Sequence, residues 1–541
     1  MKLLLFLLQS SRGRMAIAIF TGFVSGASSA ALIALASRAL GSGGDIGSIA
    51  SIFILLAVVS LVTSVVSQVV LVQLSQDAVF NLRLVLSRQI LSSELSHLEQ
   101  LGNARILATL TEDVNAVANA VALFPYLCID LATIVGSFAY ILWLSWQGFL
   151  MVMGLFVLAM VTTQLLLRRG YQFLKLARED QDQLFKHFRT ITDGIKELKL
   201  HYDRRQTFLS DDLEVASASY RRHNVNALIL LAMTSSLGRL IFFFAIGFVL
   251  FALPQILAVP LQTLSGYVLI FTYTTLPLEK LVAKLPVLGQ ASVSLQKIDL
   301  LGLALRSKAE VNTLPVAVDP DWQRLELRGI THHYERPGEE SSFVLGPIDL
   351  AFRPGELVFI VGGNGSGKST LSKLITGLYV PDQGEIWLDG QRITSENREW
   401  YRQHFSAIYA DFYLFDRLLG INNPNLDNQA QAYLKQLHLD HKVTISNGRL
   451  STIELSQGQR KRLSLLTAYL EDRPIYLFDE WASDQDPTFR ELFYTEFLPK
   501  LKRQGKTIFV ISHDDHYFHV ADRMIKLDYG TIEYDKSVGD L

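Results

Sequence analysis

Six long apolar segments constrain this chain more than any other feature. They lie near residues 15–40, 49–74, 119–144, 148–168, 226–252 and 261–286. Each supplies the roughly 20 residues a helix needs to cross a bilayer. The links after the first, third and fifth segments are short, at 41–48, 145–147 and 253–260, and contain neither Lys nor Arg. The links after the second and fourth are long and charged, and the latter carries Arg169, Lys175, Arg178, Lys186, Arg204 and Arg205 among its basic residues. Basic loops stay on the cytoplasmic side. The long loops and both termini are therefore expected there, and the short links outside.

Composition agrees with a membrane protein. Charged residues are 19% of the 541, against roughly 25% in a soluble domain. A net charge of −2 leaves no global basic footprint for nucleic acid. The single cysteine, Cys128, excludes an intrachain disulfide and a cysteine-rich metal site. At the start, Leu3–Leu8 is a short apolar run, but Arg12 and Arg14 stand where a signal peptide would need small residues. That stretch reads as an amphipathic helix lying on the membrane.

The expected organisation is a six-span α-helical domain over 1–299, a linker over 300–322 and an α/β P-loop NTPase domain over 323–541. The long loops, 75–118 and 170–225, have helical spacing and few breakers, so they read as cytoplasmic extensions of the membrane helices. Short turning helices are expected near Ser96–Gly102 and Asp203–Asp212. In the soluble part, Leu325–Ile330 alternates as a strand, a turn follows at 335–340, and Phe343–Phe352 reads as a second strand. Tyr334 supplies a ring able to stack on adenine.

Residues 362–370 fit the phosphate-binding pattern G-x-x-x-x-G-K-[ST]. Leu357–Val361 before them reads as a buried strand, and Leu371–Leu378 after them has helical spacing. Gly362, Asn364, Gly365, Ser366 and Gly367 allow backbone N–H groups to turn toward a polyphosphate, and the following helix N-terminus adds favourable partial charge. Lys368 reaches the β- and γ-phosphates, the Ser369 hydroxyl is placed for Mg²⁺, and Thr370 completes the motif.

Four further motifs follow in order. They are Leu455-Ser-Gln-Gly-Gln459, Pro474-Ile-Tyr-Leu-Phe-Asp479-Glu480, Ser483-Asp-Gln-Asp486 and Ile511-Ser-His513. Together with the Walker A loop they resemble the ATP-binding cassette family. The resemblance implies that Asp479 holds Mg²⁺, that Glu480 orients and deprotonates the attacking water, and that His513 contacts the γ-phosphate. It also implies that Ser456, Gly458, Gln459 and the D-loop Asp486 help close the ATP site of an opposing subunit. One membrane half with one nucleotide domain then implies a homodimer with ATP and Mg²⁺ at two identical sites. Trp481, the segment Gln403–Asp416 and Ile511–Phe518 are similar to the bacterial cyclic-peptide exporters, which include exporters of siderophore precursors and lasso-type peptides. The sequence departs from the cassette pattern at Ala410, where a Mg²⁺-binding glutamine is usual. The neighbouring Asp411, or water, is the replacement ligand.

Charges are costly inside spans and tend to face the interior or a cavity. Asp130 and Arg239 are the deepest strong charges in the expected spans. They can pair with each other or face a polar cargo, with Tyr267 and Tyr273 as aromatic lining. The resulting expectation is an ATP-driven exporter of a peptide-type substrate in the bacterial inner membrane. A lipid or lipopeptide flippase and a non-transporting regulatory membrane ATPase are the alternatives. An importer is disfavoured, since importers generally carry these domains on separate chains.

Overall fold

The computed structural model describes residues 12–540 except 42–45, 257–260, 308–309, 311–317, 319, 335–342 and 422. The expected N-terminal amphipathic helix and the turn at 335–340 lie outside the described residues. The chain divides into two compact units. One comprises residues 1–83 and 109–298, and the other 84–108 and 299–541.

Helices cover all six apolar segments. The main ones are Arg12–Gly41, Ile46–Leu91, Val114–Leu144, Trp146–Asp193, Val215–Gly247 and Leu261–Ser307. By length and composition, Gly13–Ala39, Gly47–Leu91, Arg105–Leu144 and Tyr202–Gln255 can cross a membrane, considering the described residues alone. Ile46–Leu91 has 46 residues, which at 1.5 Å each is about 70 Å, more than twice a bilayer's hydrocarbon thickness. The second apolar segment and the start of the long link after it thus form one continuous helix. The sixth helix also runs to Ser307, past the expected linker start at 300.

The first turning helix is where the sequence puts it. Leu95–Leu101 forms a short helix that ends at Gly102, whose φ of 80° no β-branched residue would adopt readily. The second turn has its short helix where expected, at Tyr202–Thr207, but the chain begins to turn earlier. The chain breaks at Gly194 and His201, making short helices at Ile195–Leu200 and Tyr202–Thr207, before a wide helical turn over Phe208–Glu214. Glycine is a poor helix former, and His201 takes an extended conformation, so the bend falls earlier than Asp203–Asp212.

The second unit is built on two sheets. Strands β1 (Leu325–Tyr334), β2 (Phe343–Phe352), β4 (Gln383–Leu388) and β5 (Gln391–Arg392) form an antiparallel sheet in the order β2-β1-β4-β5. Strands β3 (Leu357–Gly362), β6 (Phe405–Ile408), β9 (Ile475–Asp479), β10 (Thr507–Ile511), β11 (Arg523–Asp528) and β12 (Thr531–Ser537) form the other, in the order β12-β11-β3-β10-β9-β6. A small hairpin, β7 (Ile445–Ser446) and β8 (Arg449–Leu450), completes the strands.

The central strands explain their own composition. Leu357, Phe359 and Val361 of β3 enter one apolar core, while Val358 and Ile360 enter the core on the other face. Strands β9 and β10 divide in the same way: Tyr476, Phe478, Ile508 and Val510 lie on one side, and Ile475, Leu477, Phe509 and Ile511 on the other. A strand covered on both faces has no polar side, so the apolar runs are unbroken.

Residues 84–108 belong to this unit through direct contacts. Leu95 packs on the core around Leu371, Leu374 and Tyr401. Glu99 accepts from Lys373 Nζ at 2.9 Å and from the Tyr379 hydroxyl. Glu310 is bound by Arg402 and lies 3.3 Å from Arg398. The short helix Leu95–Leu101 is thereby attached to Lys368–Ile375, the helix that follows the phosphate loop.

Candidate nucleotide site

Three parallel strands place the chemistry. β10 lies between β3 and β9, in register Ile511 with Ile360 and with Asp479. Their carboxyl ends therefore lie side by side, delivering the phosphate loop, the Asp479–Glu480 pair and His513 to one edge. This is where open α/β sheets bind ligands.

The loop's backbone demands glycine. Gly362 has a φ of +148°, and a Cβ there would lie 2.3 Å from the Leu527 carbonyl oxygen. Asn364 and Gly365 are exposed at the crest, and Ser366 is buried. Lys368 is 6% exposed, and its ammonium donates to the carbonyls of Gly362 at 3.0 Å and Gly363 at 2.9 Å. Burial lowers the Lys368 pKa, while Glu480 and Asp479 act in the opposite direction. Tyr334 is partly exposed at the end of β1.

The two carboxylates differ sharply in setting. Asp479 is buried, and its Oδ1 has no hydrogen-bond partner among the described residues. Burial raises its pKa, as does the Glu480 charge, whereas the Ser369 hydroxyl, Lys368 and the Ala410 backbone N–H lower it. A buried, unsatisfied carboxylate oxygen beside a serine hydroxyl fits a hard divalent cation. Glu480 is more exposed, and its Oε1 lies 3.3 Å from His513 Nε2. Position 410 acts on Asp479 through its backbone, which any residue supplies. Asp411 is exposed, and its charge is felt by Tyr379 and Tyr409.

The signature motif opens a helix. Ser456 caps Gln457–Glu471, accepting from the Gln459 N–H, while the Gln459 side chain accepts from the Ser456 N–H. This reciprocal pair leaves an exposed helix N-terminus at Ser456–Gly458, suited to an anion. Asp486 caps the helix starting at Pro487 and is also bound by Arg462. The Phe489 N–H is the main cause that lowers its pKa.

Comparison with known proteins decides the family. The ABC transporter family matches residues 345–483, and the ABC transporter transmembrane region matches residues 14–276. The ATP-binding protein SyrD of Pseudomonas syringae pv. syringae is 38% identical over 468 residues, covering 84% of this chain and 82% of that one. This chain belongs to the ABC transporter family. It is an exporter half-transporter with a transmembrane domain and an ATP-binding domain, and its ATPase is coupled to transport. The ATP-dependent lipid A-core flippase of Alkalilimnicola ehrlichii is 28% identical over 84% of this chain and 78% of that protein. A solved bacterial Atm1-family ABC exporter with ATP bound shares the fold at a TM-score of 0.72 and 16% identity, over 98% of this chain and 96% of that one.

The membrane half of the transporter corrects one expectation. Asp130 and Arg239 do not pair with each other. Lys284 Nζ lies 3.2 Å from Asp130, with side chains only 16% and 12% exposed, and also sits over the Tyr126 ring. Arg239 lies 3.7 Å from Glu279. Both partners come from Leu261–Ser307, so the sixth helix supplies the complementary charge to two others. Sequence spacing could place each charge in a span, but not the rotation of the helices that matches them. Tyr267 is fully buried in an apolar cluster with Ile33, Ile141 and Val249. Tyr273 is exposed.

The burial of Lys461 and Trp481 was not legible in the sequence. In the sequence, Lys461 is the middle of three consecutive basic residues, Arg460-Lys-Arg462. Only its inward position on the helix, next to the exposed Arg460, could have marked it.

Proposed function

We propose that this transporter works as a homodimer exporting a peptide-type substrate across the bacterial inner membrane, with its nucleotide domains in the cytoplasm. The observation that carries the energetic part is the 3.3 Å approach of His513 to Glu480, beside Lys368 and Asp479. In this reading Tyr334 stacks on adenine, and the loop residues Gly362, Asn364, Gly365, Ser366, Gly367 and Thr370 wrap the phosphates. Ser456, Gly458, Gln459 and Asp486 of a second copy close the site. Glu480 takes a proton from the water that attacks the γ-phosphorus, and the bond to the ADP oxygen breaks. Lys368 and His513 hold the oxygens on which charge accumulates. Ser369 and Asp479 would hold Mg²⁺, which offsets phosphate charge, and Asp411 is the proposed additional oxygen ligand. Asp411→Ala is expected to raise the Mg²⁺ concentration for half-maximal ATPase by about tenfold. A magnesium titration with unchanged midpoint and turnover would remove Asp411 from the site.

The peptide assignment rests on Trp481, Gln403–Asp416 and Ile511–Phe518, which resemble the cyclic-peptide exporters. The charge pairs Asp130–Lys284 and Arg239–Glu279 offer exchangeable partners for a polar cargo. The flippase among its relatives favours lipid as the second reading. In proteoliposomes, cyclic peptides are expected to stimulate ATPase several-fold more than lipid A-type lipids, and Asp130→Asn with Arg239→Gln to blunt that stimulation. Stimulation by lipid alone would favour the flippase, and ATPase without movement of either cargo would favour a regulatory ATPase.

A further inference from the structure

We propose that Lys461 is a positioning residue for ATP hydrolysis, fixing the backbone that carries Glu480. The proposal rests on Glu480 acting on the attacking water, as inferred above.

Glu480 follows directly on strand β9 and has φ 48° and ψ 34°, the left-handed region that a residue with a Cβ rarely enters. Such a conformation persists only when its surroundings over-determine it. Here they do so from two sides. The Glu480 N–H donates to the Ile511 carbonyl at 3.0 Å, from the strand that leads to His513. Its carbonyl accepts from the Lys461 ammonium at 2.8 Å and from the Ser483 hydroxyl at 2.7 Å.

The ammonium is used completely. Its two remaining bonds go to Ser483 Oγ at 3.1 Å and Asp484 Oδ2 at 2.7 Å. A lysine has three N–H donors, and here each has one acceptor. The Lys461 side chain is 3% exposed, so a lost acceptor would not be replaced by bulk water. The contact also runs in reverse, because the buried Trp481 indole donates to the Lys461 carbonyl at 2.8 Å. Next to it, Gln485 Nε2 donates to the Gly458 carbonyl at 3.0 Å. The signature helix and the segment Glu480–Gln485 therefore hold each other through a closed set of bonds. The Lys461 side chain touches the Glu480 backbone rather than its carboxylate, so it sets where the carboxylate is held and takes no proton.

The test is steady-state ATPase of the full-length transporter in lipid, with Lys461→Met, Lys461→Gln and Glu480→Gln measured side by side. Met is unbranched and fills most of the space of Lys without its donors, and displacing a reacting group by about 1 Å can cost about 100-fold in rate. Lys461→Met is expected to lower kcat about 10- to 100-fold with KM for ATP within about twofold. Lys461→Gln keeps an N–H donor and is expected to fall between Lys461→Met and the unaltered protein. Should Lys461→Met fail to fold, a lowered kcat at preserved KM in Lys461→Gln carries the inference. Unaltered kcat in either variant, or a loss confined to ATP affinity, overturns it. Full turnover in Glu480→Gln would instead remove the role of Glu480 itself.

Discussion

Glu480→Gln is expected to lower multi-turnover ATP hydrolysis by at least about 100-fold while ATP binding survives. The glutamine is nearly isosteric, keeps an oxygen able to accept from His513, and leaves the bonds to the Glu480 backbone in place. It loses only the capacity to take a proton. General-base assistance is worth roughly 10²–10⁴ in rate, which sets the scale. Asp479 cannot substitute, because it is buried and directed at the Ser369 hydroxyl and the Ala410 N–H. Phosphate release and nucleotide retention on the same reconstituted sample give the answer. Near-normal turnover would show that the pair at 3.3 Å does not activate water.

Trp481→Ala is expected to destabilise the nucleotide domain by about 3–5 kcal/mol, the range for emptying a large buried aromatic site. Trp481 is 1% exposed. Its ring stacks on Phe493 at 4.4 Å and lies near Phe489 at 6.2 Å, while its Nε1 donates to Lys461. Alanine would remove the stacking, open a cavity and leave a buried carbonyl with one bond fewer. Trp481→Phe restores most of the ring and should cost only about 1–2 kcal/mol, chiefly the lost hydrogen bond. Thermal unfolding followed by circular dichroism, with and without ATP, resolves the two. Equal midpoints for the alanine variant and the unaltered protein would mean that the site collapses around the gap.

Both predictions concern one short stretch, Asp479–Asp484, where local rules conflict. Glu480 at positive φ carries a local cost, and Trp481 beside it has a buried indole N–H that needs an acceptor. They persist because the neighbouring helix and strand supply compensating bonds. A conservative change within that stretch should therefore have a larger effect than an equally buried change in the strand cores. There, apolar residues of similar volume replace one another at modest cost.

Much of the molecule was legible from residue order. Helices in the membrane half follow from unbroken apolar length, since each backbone group in hydrocarbon must be bonded within its own helix. The phosphate loop follows from glycines between a buried strand and a helix. Strands β3, β9 and β10 follow from β-branched and aromatic runs bounded by motif residues. All of these signals are local, carried by a few consecutive positions and their immediate spacing. Tertiary structure alone decided the rest. It paired Asp130 with Lys284 and Arg239 with Glu279, because the rotation of one helix against another is set by packing along their whole lengths. It grouped residues 84–108 with the nucleotide domain through Glu99 and Lys373, which are 274 positions apart. It placed Lys461 against the Glu480 carbonyl, because the inward face of a helix is defined only once the strand beside it is in place.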